Sequence, residues 1–175
     1  MNADLTPVTS ATTRWLLRSY PHAGGVLGGA LAEAQARQAV TVAAWLRYPT
    51  AMEAALLTMA GPGGSGRLDR LVGAWEPAAE EAEEEAWRSW VDEVVASWAA
   101  CLLGRPDAAA DAVARVADRE HMAGLAFDFR RLVAPDDRDL RAAALLRHPD
   151  LLEPVAALHR DALTERLAQG WSAAA

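Results

Sequence analysis

Glu76, Glu80 and Glu83 stand at i, i+4 and i+7, so a helix carrying them presents three carboxylates to one side. His121 and His159 each fall on an apolar stripe, the first with Leu125, Phe129 and Leu132, the second with Leu152, Val155 and Leu163. Carboxylates and imidazoles that converge from separate helices are the ingredients of a metal site in a bundle. The candidate ligands are therefore Glu76, Glu80, Glu83, His121 and His159. In a metal-free version, Glu80 or Glu83 serves with His121 as acid and base. Against both stands the absence of any Glu-x-x-His, the pattern that ferritin-like di-metal bundles place on two helices. The plainer account is that the run EPAAEEAEEEA is a solvated helix start, favoured by the helix dipole and by neighbouring arginines. No catalytic residue is assigned.

The second chemical signal is aromatic. The chain has seven tryptophans against two phenylalanines. On one helix spanning 78–103, Trp87, Trp90, Val91, Val94, Trp98, Cys101 and Leu102 share a broad face. Trp87, Trp90 and Trp98 could line an apolar cavity, with Gln38, His121 and His159 orienting a small ligand. The same Trp/Ala surface could instead meet a partner helix.

Other motifs carry less. The glycines of PHAGGVLGGALAEA follow no strand and precede no Lys-Ser/Thr, so they make no phosphate loop. Gly24 and Gly28, one turn apart, are expected to let another helix approach closely. No serine lies in G-x-S-x-G, and Cys101, the single cysteine, reads as an inert core thiol. One cysteine permits neither an internal disulfide nor a thiolate cluster.

The elements that must position these groups are all helical. No segment alternates apolar with polar residues as a half-buried strand would. Helices are expected over 12–19, 25–47, 50–60, 67–75, 78–103, 106–132 (bent near Gly124), 138–147 and 150–170. The stripe of the second is Leu27, Leu31, Ala34, Gln38, Val42 and Trp45. Thr50 and Glu53 spell a capping box, GPGGSG a loop, and Asp150 with Glu153 repeats the cap pattern. The parallel between LRYPTAME (46–53) and LRHPDLLE (146–153) reads as one helix–Pro–helix turn used twice. The stretch DDRDLRAAALLRHPDLLEPVAAL resembles a HEAT-type helix pair, but no period of about 40 residues recurs as a solenoid requires. The fold class is all-α: one domain over 1–175, a bundle of seven or eight helices around the long 78–103 helix, with loose ends at 1–10 and 172–175.

Composition limits the partners. All 17 basic residues are arginine, a bias typical of high-GC bacterial chains, and the net charge is -7. Residues 61–105 hold nine acids against four arginines. No region offers the basic face that nucleic acid or anionic membrane requires. The N-terminal MNADLTPVTS has neither the basic nor the apolar part of a secretory signal, and no apolar run is long enough to span a bilayer. These features predict a soluble cytoplasmic protein with no cofactor, whose partner is a protein or a second copy of itself. Three functions follow. The first is a non-enzymatic, self-associating helical interaction or adaptor protein. The second is a small-molecule-binding helical domain with a Trp-lined cavity for an apolar ligand. The third is an enzyme or metal-binding bundle built on Glu80, Glu83 and His121.

Overall fold

The computed structural model describes residues 4–74, 86–117 and 128–169, and the expectations placed on Glu76, Glu80, Glu83 and His121 lie outside them. The described chain is an all-helical bundle. Its elements are α1 (Thr6–Ser19), α2 (Gly25–Arg47), α3 (Ala51–Ala60), α4 (Gly66–Leu71), a 3-10 turn (Ala86–Trp90), α5 (Glu93–Gly104) and α6 (Pro106–Ala117). Then come α7 (Arg130–Val133), α8 (Asp137–Ala142), α9 (Pro149–Ala156), a 3-10 turn (Ala157–His159) and α10 (Arg160–Ala168). No described helix is long and apolar enough to cross a membrane.

The axis of the bundle is α2, not the 78–103 segment. It packs against α1, α5, α6, α7 and α8. Its buried positions are mostly small: Gly28, Ala32, Ala36, Ala39, Ala43 and Ala44, with Gln35, Val40, Val42 and Leu46. Alanine methyls let neighbouring helices come close all round, so the burial is broad rather than a single stripe. The expected stripe is wrong at its start, because Leu27 is 69% exposed and Val26 94%. Gly28 serves a local purpose: a Cβ there would sit 2.0 Å from the Ala23 carbonyl oxygen. Gly24, at φ +91°, takes the left-handed turn that opens the helix. These glycines shape the entry to α2 and are not a seam for another helix.

Two further expectations fail at helix ends. The N-terminal stretch is helical from Thr6, with Pro7 in the first turn and Leu5, Val8 and Ala11 buried. Of the 106–132 span, residues 118–127 lie outside the described ones; α6 is described to Ala117, Asp128 and Phe129 are not helical and α7 starts at Arg130, while α8 ends at Ala142, short of the expected 147.

Buried polar groups tie the elements together. The Arg147 guanidinium donates from Nε to Gln35 Oε1 (2.5 Å), from Nη1 to the Leu103 carbonyl (2.9 Å) and from Nη2 to the Arg131 carbonyl (2.7 Å). Gln35 in turn donates to the Leu31 and Asp139 carbonyls (3.1 and 2.9 Å). Asp139, fully buried, is neutralised by Arg131 and Arg130 and closes a capping box with Asp136 at the start of α8. One residue is thus bonded to α2, α5 and α7 from the turn that follows α8. A second centre is Asp69, which accepts from Trp15 Nε1 (2.9 Å), Ser65 Oγ (2.7 Å) and Arg88 Nη1 (3.2 Å). It joins α1, α4 and the 86–90 turn.

Two predictions follow from this buried chemistry. Arg147→Met leaves two backbone carbonyls and the Gln35 amide oxygen without donors, so urea unfolding should show a loss of about 2–4 kcal/mol. Arg147→Lys, which has no planar fork, should recover only part of it. The second concerns alkali. Burial pushes the Tyr20 phenol up to about 12, and its hydroxyl donates to the Leu151 carbonyl (3.2 Å). A phenol with a raised folded-state pKa contributes stability that is complete below pH 10 and lost as pH rises towards 12. The unfolding midpoint of the wild type should therefore fall over that window, and Tyr20→Phe should flatten the fall.

Candidate functional site

The Trp-bearing helix breaks where one continuous helix was expected. Ala86–Trp90 is a 3-10 turn, Val91 and Asp92 are non-helical, and α5 begins at Glu93. Asp92 is the cause: its Oδ1 accepts the Val95 N–H (2.9 Å) as an N-cap. Its Oδ2 accepts the Tyr48 hydroxyl, which fixes the cap against the end of α2. Burial and the Asp92 carboxylate hold the Tyr48 phenol well above its usual range, so it stays a donor. The break puts Trp87 and Trp90 off the α5 wheel. The guanidinium groups of Arg14 and Arg88 lie over the Trp87 ring, 5.4 and 5.7 Å from its centroid. Trp90 is half-buried against the core.

The expected 150–170 helix is interrupted as well. Pro149 takes the first helical position, so His148 becomes the N-cap and Asp150 falls in the first turn. The second capping box does not form: Glu153 pairs with Arg160 through both carboxylate oxygens (3.0 and 2.6 Å). The first box, Thr50 with Glu53, forms in full. Further on, Ala157–His159 tightens into a 3-10 turn because α5 supplies replacement partners. Ser97 Oγ donates to the Ala156 carbonyl (3.2 Å) and accepts the His159 N–H (3.0 Å). Trp98 Nε1 donates to the His159 carbonyl (3.0 Å), and Cys101 Sγ donates to the Ala156 carbonyl (3.2 Å). Burial pushes the Cys101 thiol up, as its structural placement requires.

This turn carries His159 off the Leu152/Val155/Leu163 stripe and towards the surface. Its Nε2 meets Glu93 Oε1 at 2.8 Å, and Arg67 reaches the same carboxylate at 3.2 Å. His159 and Trp98 border an open cleft of about 480 Å³ with Val94, Ala162, Arg47 and Arg166. Trp98 is only 4% exposed there, so it contributes an edge and not a stacking face. Glu53 and Glu165 also line the cleft, and they are already bonded to Thr50 and Gln169.

The candidates are thus placed apart. Trp98 and His159 adjoin, whereas Trp87 sits with Arg14 and Arg88. Gln38 uses its amide to donate to the Asp128 carbonyl (2.6 Å) and accept the Leu132 N–H (2.9 Å), which makes it a tether of α7. Glu76, Glu80, Glu83 and His121 lie outside the described residues. Among the described residues no group of three or more His, Cys, Asp or Glu is arranged to hold a metal.

The feature that sequence reasoning missed is on α3. Met52, Leu56 and Met59 are 74%, 57% and 84% exposed and lie at i, i+4 and i+7. Only Ala54 and Leu57, on the opposite side, are buried. The signal is in AMEAALLTMA, whose large apolar residues Met52, Leu56, Leu57 and Met59 spread over more than one side, and a surface helix can bury only one. Compared with known proteins, the chain matches no family model, no curated protein and no solved structure.

Ser97, fully buried, is the hinge of the α5–His159 exchange, since one hydroxyl serves both a carbonyl and an N–H. Ser97→Ala should cost about 1–3 kcal/mol in chemical denaturation. Hydrogen exchange at the His159 amide should speed up at the same time. An unchanged His159 amide would mean that the 3-10 turn does not depend on α5.

Proposed function

We propose that the chain is a non-enzymatic helical interaction protein that self-associates, and that α3 is its contact element. The observation that carries this reading is the exposed row of Met52, Leu56 and Met59 on a helix whose other side is seated on the core. Large flexible apolar side chains at i, i+4 and i+7 are the anchors of helix-to-helix recognition, and methionine adapts to the surface it meets.

Charge argues for a second copy as the occupant. The only ionisable residue of α3 is Glu53, and its carboxylate is held by the Thr50 backbone N–H and hydroxyl. The face therefore offers a charged partner nothing to pair with. A second α3, equally neutral, meets it without desolvating a charge. Two such faces related by a two-fold axis form an isologous pair in which Leu56, the middle residue of the row, lies nearest the axis. Three side chains fall short of the roughly 800 Å² that each partner gives to a standard interface, so the dimer is reversible and concentration-dependent.

Sedimentation velocity over a wide concentration range tests this. The wild type should shift from monomer towards dimer as concentration rises. Leu56→Asp and Met59→Asp should remain monomeric, with unfolding free energies within about 0.5 kcal/mol of wild type because both positions are exposed. A wild type that stays monomeric throughout, or variants that dimerise as the wild type does, would overturn the proposal.

A further inference from the structure

A second cleft, of about 320 Å³, runs between α5 and α9 and shares no lining residue with the His159 cleft. Its walls are apolar: Ala100 and Gly104 on one side, Pro149, Leu152 and Ala156 on the other. Two guanidinium groups, Arg105 and Arg160, and the Glu153 carboxylate stand at its edge. The charged lining is thus one positive charge in excess, on a chain whose net charge is -7.

We propose that this cleft binds a medium-chain carboxylic acid, its hydrocarbon between α5 and α9 and its carboxylate on Arg105 and Arg160. Three observations support the assignment. First, the apolar lining suits a hydrocarbon, and the volume equals about ten water-sized groups, the size of a single medium-length chain. Second, both arginines keep donors to spare. Arg105 gives one nitrogen to Asp107 across a pair in which both side chains are more than half exposed. Arg160 forks onto both Glu153 oxygens with one N–H from each terminal nitrogen, which leaves it further N–H groups for a ligand. A carboxylate entering the cleft gains a partly desolvated guanidinium, and charge-assisted bonds strengthen as water leaves. Third, Arg105 and Arg160 line the same cleft, and the Cys101 thiol borders it as well.

Cys101 also gives the test a position-specific readout, being the only thiol in the chain. The probe is octanoate, with octanol and octylammonium as controls of equal chain length. Calorimetry on the full chain should show one octanoate per chain. Octanol should bind at least about ten-fold more weakly, and Arg105→Gln or Arg160→Gln should weaken octanoate by a similar factor. Saturating octanoate should slow alkylation of Cys101. Gly104→Leu supplies a second route: the Gly104 Cβ direction meets only Leu152 Cδ1, at 3.8 Å, so the added side chain fills the cleft without a main-chain clash. A folded Gly104→Leu variant, checked by circular dichroism, should lose octanoate binding. Octanol binding as tightly as octanoate would overturn the proposal. So would undiminished Cys101 reactivity at saturation, or the absence of saturable octanoate binding by folded wild type.

Discussion

A buried guanidinium holds this fold together. Arg147 reaches Gln35 on α2, the Leu103 carbonyl at the end of α5 and the Arg131 carbonyl on α7. Burial pushes its pKa down while the Asp139 carboxylate pulls it back up, and three hydrogen bonds offset part of the cost of burying the charge. A hydrophobic residue of equal volume could fill the space. It could not select which helix end meets which, because apolar contact has no direction. α7 and α8 are each too short to be stable alone. They are helices because Arg147, Gln35 and Gln38 bind their backbone groups. The C-terminal half of the bundle is therefore assembled by polar bonds onto a core that α2 provides by shape.

That division explains which parts of the fold were legible in the sequence. The all-α class, the bounds of α2 and the Thr50/Glu53 cap are local properties, written in a few neighbouring residues. The breaks at Asp92 and at Ala157–His159 are not. Each arises when a distant side chain offers the backbone a better partner than the helix does: Tyr48 steadying the Asp92 cap, and Ser97 and Trp98 at Ala156 and His159. Helical periodicity runs straight through both points. The Asp92-Glu93 pair ahead of an apolar run was a helix-start signal, and it was outweighed by the apparent continuity of the tryptophan face. The orientation of α2 was misjudged for a related reason. Its core face is alanine, which carries little periodic signal beside the larger Leu27 and Leu31.

The tryptophans show the same effect at the level of function. Read on one wheel, Trp87, Trp90 and Trp98 form a single wall. In three dimensions Trp98 spends its N–H on the His159 carbonyl, and Trp87 has two arginine guanidinium groups over its ring. Trp15, at the far end of α1, does likewise with Asp69. Indole is used here as a donor on an apolar body, joining elements at depths where an alanine-rich chain has few other large side chains. Its abundance reflects how this bundle closes, and it carries little information about what the bundle binds.

The features with binding capacity lie where the chain leaves groups unspent. On α5 the large apolar side chains Val95, Trp98, Leu102 and Leu103 are buried, and Ser97, Trp98 and Cys101 donate to backbone carbonyls. On α3 the balance reverses, with three of its largest side chains in water and its single charge consumed by its own cap. The freed carbonyls of Ala156 and His159 are satisfied by thiol and indole donors, whereas the Met52, Leu56 and Met59 row of α3 stays uncovered. Exposed apolar area costs solubility unless something covers it, and a neutral face on a chain of net charge -7 is where two copies can approach with the least repulsion. The same logic makes α3 separable from the fold. Its outer residues contribute little to the core, so changes there should alter association and leave the Arg147 and Asp69 centres intact.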